Sequence, residues 1–147
     1  MDLTGVRYEE DAARVTPAAL QGFFVGWPNP PSAHAHWRIL QQSAHVVLAI
    51  DEERQAVVGF ITAISDGVLC AYIPLLEVLP EYQGHGIGRE LVRRMLERLR
   101  HLYMVDLLCD PDLQVFYARA GMQPATGMLL RNYDRQSGPA QRSPQEI

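Results

Sequence analysis

The sequence contains no lysine, because all 13 of its basic residues are arginine. No lysine side chain is therefore present to form a Schiff base, act as a general base or become acetylated. Cysteine is almost as scarce: only Cys70 and Cys109 occur, far apart and without a CxxC pattern. This spacing argues against a disulfide framework and a cysteine-ligated metal site, and it predicts two reduced thiols packed in strands.

Long hydrophobic runs and basic patches are also missing. No apolar stretch approaches the roughly 20 residues that a membrane-spanning helix needs, so no membrane partner is expected. The first 15 residues contain acidic side chains and no apolar core, unlike a signal or transit peptide, which predicts a cytoplasmic protein. The net charge of −4 and the lack of a basic face argue against nucleic acid and favour a cationic small molecule as partner.

The composition is that of a single globular domain. Of the 147 residues, 48% are hydrophobic and 20% are charged, which are ordinary values for a folded domain of this length. We expect one domain over residues 1–135. The polar stretch at 136–147 is rich in Gln, Ser and Pro and predicts a disordered tail.

Apolar periodicity divides this domain into strands and helices. Strands are predicted at 5–9, 45–51, 56–65, 68–79, 103–109 and 128–133. Helices are predicted at 17–24, 33–43, 87–101 and 113–120, the second beginning after Ser32 as its N-cap. Pro74 lies inside the fourth strand and predicts a bulge or a break in pairing there. This order predicts an α+β domain in which helices flank a mixed, mostly antiparallel sheet.

A glycine-rich loop, Gln83-Gly84-His85-Gly86-Ile87-Gly88, precedes the longest predicted helix. Glycines allow the backbone to curve tightly, and the first helical turn offers N–H groups that have no intrahelical partner. The helix dipole adds positive potential at the same place, so the loop is suited to a pyrophosphate without any lysine. The spacing is neither the Rossmann GxGxxG nor that of a P-loop, which requires Gly-Lys-Ser/Thr.

Two blocks of the sequence resemble a known family. Gln83, Gly86 and Gly88 resemble the (Arg/Gln)-x-x-Gly-x-(Gly/Ala) signature of the GNAT superfamily of N-acetyltransferases, and LEVLPEY before them is similar to its usual lead-in. A second block, FYARAGM at 116–122, is similar to the family's FYxxxGF. The resemblance covers about residues 3–133. It implies a GNAT-like acyl-CoA N-acyltransferase fold, with acetyl-CoA as cosubstrate and no metal.

The resemblance also implies which residues bind the cosubstrate. Its pyrophosphate is expected on the loop backbone, at Gln83, Gly84, His85, Gly86, Ile87, Gly88 and Arg89. The pantetheine arm is expected along the distorted strand, on backbone groups of Leu76, Val78 and Leu79, with Tyr117 also at the cosubstrate. For the His85 side chain two interpretations stay open, an exposed spacer or a phosphate contact.

Acetyl transfer to an amine needs a neutral amine, a stabilised oxyanion and a proton for the leaving thiolate. Tyr117 is predicted to be the general acid, since a phenol of pKa ~10 keeps its proton at neutral pH. Glu77 is the first candidate base, directly or through a water, and a salt-bridged strand residue is the alternative. Asp110 is the second candidate base or else the N-cap of the next helix. The N–H group of Val78 or Leu79 is predicted to polarise the thioester carbonyl.

A primary amine is the predicted acceptor, reacting by direct attack in a ternary complex. A small or aromatic amine is favoured because the protein is mildly acidic and lacks an extended polar face. The resemblance implies that five aromatic residues lie in or near the acceptor side, where they are candidates to line an amine pocket: Phe23, Phe24, Trp27, Trp37 and Tyr72. For Phe23, Phe24 and Trp37, packing in the core is the favoured alternative.

The family resemblance leaves several finer points open. Asp110, where many members have Asn, and the Gly127-Met128 pair look most like plastid and bacterial members related to serotonin N-acetyltransferases. Two other functions remain as alternatives, a protein or peptide N-acetyltransferase and a non-catalytic acyl-CoA-binding regulatory domain. Family members are often dimers, so the resemblance also leaves a homodimer open.

Overall fold

The computed structural model of the protein describes residues 3–139, and its strands form one five-stranded sheet. In chain order the strands are β1 (Val6–Glu9), β2 (His45–Asp51), β3 (Ala56–Ser65), β4 (Cys70–Val78) and β5 (Met104–Asp106). They lie in the same order across the sheet, antiparallel up to β4, whereas β4 and β5 are parallel. The predicted mixed, mostly antiparallel sheet is therefore confirmed.

Helices cover both faces of the sheet. Helix α1 (Ala33–Gln42) begins at Ser32, whose Oγ accepts a hydrogen bond from the Ala35 N–H at 3.1 Å, as the sequence predicts. Helix α2 (Ile87–Arg98) is the crossover that parallel pairing of β4 and β5 requires, and its apolar side packs against β2 and β3. The absence of a side chain at Gly59 on β3 allows α2 to pack closely, because a Cβ at this position would lie 3.1 Å from Leu91 Cδ1.

Three predicted elements are much shorter than expected. The predicted helix at 17–24 is only a 3-10 turn, Pro17–Ala19, because Gly22 and Phe24 have the left-handed φ angles of 87° and 62° that end a right-handed helix. The predicted strand at 103–109 pairs only over Met104–Asp106. The predicted helix at 113–120 is a 3-10 turn followed by α3 (Gln114–Ala118).

The predicted last strand, 128–133, is wrong. Residues 123–132 contain no helix or strand, and a 3-10 turn follows at Tyr133–Arg135. Of the predicted tail, residues 140–147 lie outside the described range, while the Gln136 side chain accepts a hydrogen bond from the Asn29 N–H at 2.9 Å. Within residues 3–139, no helix combines the length and apolar character needed to cross a membrane.

An imidazole lies in the apolar layer between α1 and the sheet. The His36 ring centroid is 4.3 Å from that of Phe60, 5.1 Å from Phe23 and 5.0 Å from Phe24. His36 is 1% exposed, and neither ring nitrogen has a hydrogen-bond partner among the described residues. Burial lowers the pKa of His36 from 6.5 to about 4, so the ring is neutral at physiological pH.

We predict that folding stability falls as pH drops from 6.5 to 4 because of His36. In this window the unfolded chain binds a proton that the folded chain does not, and the difference between pKa 6.5 and about 4 corresponds to about 3 kcal/mol. Urea unfolding of His36→Leu should show a flatter pH dependence than the wild type, whereas the exposed control His101→Leu should not. The carboxyls of Glu90 and Asp66 have pKa values of about 2, so their contribution to folding stability is lost mainly below this pH window. Equal slopes in all three proteins would contradict the assignment.

Candidate functional site

The glycine-rich loop has the backbone conformation that its sequence predicts. Gly84 and Gly86 have φ angles of 80° and 87°, in the left-handed region that a side chain disfavours. None of the backbone N–H groups from residue 84 to residue 89 donates a hydrogen bond to a described residue. Six consecutive donors thus accumulate at the N-terminus of α2, where the helix dipole also favours an anion.

Two side chains fix this loop to the sheet. The Tyr82 hydroxyl donates to Asp51 Oδ2 at 2.6 Å, which joins the turn before the loop to the end of β2 and lowers the pKa of Asp51. Gln83 Nε2 donates to the Val78 carbonyl at 2.9 Å, which joins the loop to the end of β4. These contacts hold the start of the loop and α2 continues from its end, so the six donors are preorganised.

A cavity of about 1070 Å³ opens in front of the loop, between β4, α2 and α3. Arg89, Arg93 and Arg119 line it. Arg93 donates two hydrogen bonds to Glu90, and it is the main cause that lowers the pKa of that carboxyl to about 2. Arg89 and Arg119 form no ion pair with a described residue, so their charge is available to an anionic ligand.

Strand β4 leaves its neighbour after three residue pairs. Its pairing with β5 covers only Cys70, Ala71 and Tyr72, and beyond them the edge of β4 that faces β5 is open. The register of β3 and β4 shifts near Pro74, so the predicted irregularity is present. Alternation along the ladder with β3 turns the N–H groups of Leu76 and Val78 towards the open edge.

Leu79 does not offer the backbone donor that the sequence interpretation gave it. Its N–H group donates to the Val58 carbonyl at 2.9 Å, and its side chain is buried. Of the two N–H groups proposed to polarise a carbonyl, only that of Val78 remains. The reason is the strand period of two, which directs alternate N–H groups to opposite neighbours.

The Glu77 carboxylate holds a loop of the N-terminal half. Its Oε2 accepts a hydrogen bond from the Phe24 N–H at 2.8 Å, and its Oε1 accepts one from the Val25 N–H at 3.2 Å. Phe24 has the left-handed φ of 62°, so Glu77 stabilises a strained backbone. Glu77 thus has a structural role, as in the alternative to a catalytic base that the sequence left open. Its partners are two backbone amides, however, and not the basic side chain of a salt bridge.

Helix α3 presents neighbouring aromatic rings to two different spaces. Phe116 lines the glycine-loop cavity and lies against Gly88. Tyr117 lines a second cleft of about 870 Å³ beside β5. Its ring meets that of Phe116 edge to face, with the two ring centroids 4.9 Å apart. Burial raises the pKa of the Tyr117 phenol above 10. Asp110 is exposed at the N-cap position of the preceding turn, makes no side-chain cap hydrogen bond and lines neither space.

The predicted aromatic group divides into core and surface. Phe23 and Phe24 pack around His36, and the Trp37 indole N–H donates to the Val15 carbonyl at 2.9 Å. Trp27 and Tyr72 stay partly exposed, at 39% and 36%.

Three residues that line these spaces are not predicted as site residues from the sequence: Phe116, Arg119 and Asp106. Phe116 and Arg119 are three residues apart and therefore share one helical face, a signal already present in the FYAR sequence. Asp106 lines the cleft and pairs with Tyr72 across β4 and β5. It had no local signal, because only the pairing of distant strands brings the two together. Among the described residues no group of three metal-ligating side chains occurs.

Comparisons with known proteins agree on one family. The sequence profile of the acetyltransferase (GNAT) family matches residues 12–122. A crystal structure from Deinococcus radiodurans R1, assigned as an acetyltransferase, is 50% identical and superposes with a TM-score of 0.90 over 95% of this chain and 98% of that chain.

Curated relatives include proteins longer than this chain. A Gibberella zeae protein assigned as an acetyltransferase is 31% identical over 126 residues, which is 72% of this chain and 70% of that protein. The uncharacterized N-acetyltransferase ycf52 of Pyropia yezoensis is 26% identical over 102 residues. That match covers 66% of this chain and 58% of the relative, so the chain spans little more than half the length of ycf52.

Removal of the Glu77 carboxylate is expected to destabilise the fold. Glu77→Ala leaves the Phe24 and Val25 amides without their acceptor, and we expect a loss of roughly 1–3 kcal/mol in urea unfolding. Glu81→Ala is the matched control, since Glu81 is exposed and makes no hydrogen bond with a described side chain. If Glu77→Ala were no less stable than Glu81→Ala, the carboxylate would not hold the loop.

Proposed function

The chain belongs to the acetyltransferase (GNAT) family, and on this basis we propose that it transfers an acetyl group from acetyl-CoA to a primary amine. The observation that carries the proposal is the run of six backbone N–H groups, residues 84–89, that donate to no described residue and open onto one cavity. Such a run at a helix N-terminus suits a pyrophosphate. Arg89 and Arg119 add positive charge for the remaining phosphate of the same molecule.

Acetyl-CoA would supply an activated carbonyl and a thiol leaving group. The residues present fit such a molecule, because the open edge of β4 leaves the N–H groups of Leu76 and Val78 without strand partners. An amide-containing arm is a suitable partner for that edge. The Val78 N–H is the donor for the thioester oxygen, where it stabilises negative charge as the amine attacks.

Protons are moved by two side chains in this proposal. Tyr117 gives its proton to the departing sulfur, and its raised pKa keeps the phenol protonated at neutral pH. Glu77 takes the proton of the amine, directly or through a water. A carboxylate has about four acceptor sites, so the two amides that Glu77 binds do not exhaust its capacity. Asp110 is the second candidate base.

A small or aromatic amine is the proposed acceptor. Trp27 and Tyr72 offer partly exposed rings to an apolar or aromatic body. The Asp106 carboxylate beside Tyr72 and the net charge of −4 favour the approach of a cationic amine. The relatives named N-acetyltransferases support an amine rather than an alcohol as acceptor.

We predict that Gly86→Ala weakens acetyl-CoA binding at least tenfold, corresponding to about 1.4 kcal/mol. A Cβ at φ 87° forces the loop to change conformation and misaligns the amide donors. Isothermal titration calorimetry gives the affinity, with Gly67→Ala as control, since Gly67 has φ 75° in the β3–β4 loop, far from the cavity. Equal affinities in the two variants, or no binding by the wild type, would overturn the assignment of the loop.

Tyr117→Phe is expected to lower kcat by about 10²–10⁴ with little change in acetyl-CoA affinity, because only the proton donor is lost. Release of CoA thiol over a panel of small, aromatic and peptide amines measures the rate. An unchanged kcat would remove Tyr117 as the acid. Wild-type protein that binds acetyl-CoA but acetylates no amine would instead favour the non-catalytic acyl-CoA-binding function.

A further inference from the structure

A hydrogen bond joins the glycine-rich loop to a turn outside the cavity. The Tyr82 hydroxyl, at the residue before the loop, donates to Asp51 Oδ2 at 2.6 Å. Asp51 is the last residue of β2, and residues 52–55 after it lead to β3 and are here called the β2–β3 turn. Tyr82 lines the glycine-loop cavity, whereas none of the described residues 51–55 does. Any influence of this turn on the cavity therefore passes through Tyr82.

The backbone of the β2–β3 turn holds the Asp51 carboxylate. Its Oδ1 accepts hydrogen bonds from the Glu53 N–H at 3.1 Å and from the Arg54 N–H at 3.2 Å. Its Oδ2 faces the Tyr82 hydroxyl, and the side chain of Asp51 is only 14% exposed. Because two amides fix one oxygen, the other is presented to Tyr82 in a defined direction.

The ring of Tyr82 is held as well as its hydroxyl. Tyr82 is 2% exposed and belongs to the apolar core that α2 forms with the sheet. The Arg54 guanidinium carbon lies 5.7 Å from the centroid of the Tyr82 ring, a cation–π distance. Arg54 Nε is also 3.9 Å from Asp51 Oδ2. Asp51 and Arg54 thus contact the same tyrosine at its two ends.

The bond to Asp51 is the stronger of the two side-chain bonds that hold the start of the loop. Its acceptor is charged, and such bonds are roughly twice as strong as neutral ones. The other bond, from Gln83 Nε2 to the Val78 carbonyl, is neutral and exposed. The Tyr82 bond lowers the pKa of Asp51, and the same bond raises the pKa of Tyr82. Charged acceptor and protonated donor therefore coexist at neutral pH.

The loop itself has little that fixes its shape. Gly84 and Gly86 have φ angles of 80° and 87°, and a glycine adopts positive and negative φ about equally readily. The N–H groups of residues 84–89 donate to no described residue. The direction in which the chain leaves Tyr82 therefore decides where these donors point. A loop that must be ordered during binding has a lower affinity for its ligand.

We propose that Asp51 is a positioning residue for cosubstrate binding, acting through Tyr82 on the glycine-rich loop. This inference rests on the proposed function for the identity of the ligand, acetyl-CoA. It concerns affinity and not the chemical step, because Asp51 does not line the cavity. Loss of the contact should therefore raise KM for acetyl-CoA and leave kcat at saturating acetyl-CoA unchanged.

Isothermal titration calorimetry with CoA tests the proposal. Tyr82→Phe removes only the hydroxyl, and it should weaken CoA binding roughly three- to tenfold, the usual cost of ordering a mobile group. Tyr8→Phe is the matched control, because Tyr8 is partly buried, lies outside the cavity and makes no hydroxyl hydrogen bond with a described residue. It should bind CoA like the wild type. In steady-state kinetics, Tyr82→Phe should raise KM for acetyl-CoA without changing kcat or KM for the amine.

A double variant tests whether Asp51 acts through Tyr82. Asp51→Ala should weaken CoA binding at least as much as Tyr82→Phe, and the double variant should bind no more weakly than Asp51→Ala alone. Asp51→Asn should recover part of the affinity, since its carbonyl can accept from the turn amides while its amide donates to the tyrosine oxygen. Additive losses in the double variant, or equal affinities of Tyr82→Phe and Tyr8→Phe, would overturn the proposal.

A measurement without ligand separates this proposal from the proposed function. In the free protein, NMR order parameters of the Gly84 and Gly86 amides should fall in Tyr82→Phe and stay unchanged in Tyr8→Phe. Unchanged order parameters in Tyr82→Phe would contradict the positioning role whatever the ligand is. If they fall while the wild type binds no CoA, the contact still positions the loop, and it is the proposed function that fails.

Discussion

The early separation of β4 from β5 is the constraint on which the site depends. Only three residue pairs join these strands, and past Tyr72 the edge of β4 is free. A continuous ladder would occupy the N–H groups of Leu76 and Val78 and would close the space that the glycine-rich loop faces. Because α2 must cross over to make β5 parallel, the helix N-terminus arrives at the mouth of this opening. The same topology therefore places the open edge of β4 and the N-terminus of α2 next to each other.

Local contacts then hold the opening in place from two sides. Tyr82 and Gln83 join the loop to β2 and β4, and Glu77 binds the 24–25 backbone on the other face of β4. Each of these hydrogen bonds satisfies a backbone or hydroxyl group, so it fixes the local geometry and also contributes modestly to stability. Glu77 joins the strained backbone at Phe24 to β4, the strand that also contains the candidate donor Val78. The same carboxylate would therefore serve both the structural role and the proposed proton transfer.

The sequence predicts best those elements whose structure is determined by neighbouring residues. Strands β2 and β3 and the cap of α1 follow from apolar runs and from Ser32, and the glycine-rich loop was found because its glycines stand before a strong helix. The helix predicted at 17–24 failed because Glu77, more than fifty residues away, stabilises the left-handed Phe24. Leu79 was assigned a free donor because alternation towards β3 cannot be read without the register. Non-local hydrogen bonds account for both errors.

Helix α3 links the glycine-loop cavity to the open sheet edge. Consecutive residues on a helix point about 100° apart, so Phe116 can pack on Gly88 while Tyr117 turns to the cleft beside β5. Leu96 on α2 and Ala120, just after α3, line both spaces, so only a thin partition separates the cavity from the cleft. An acid at Tyr117 would therefore act from the β5 side of this partition. Strand β5, at the edge of the sheet, thus borders the space in which the proposed proton donor lies.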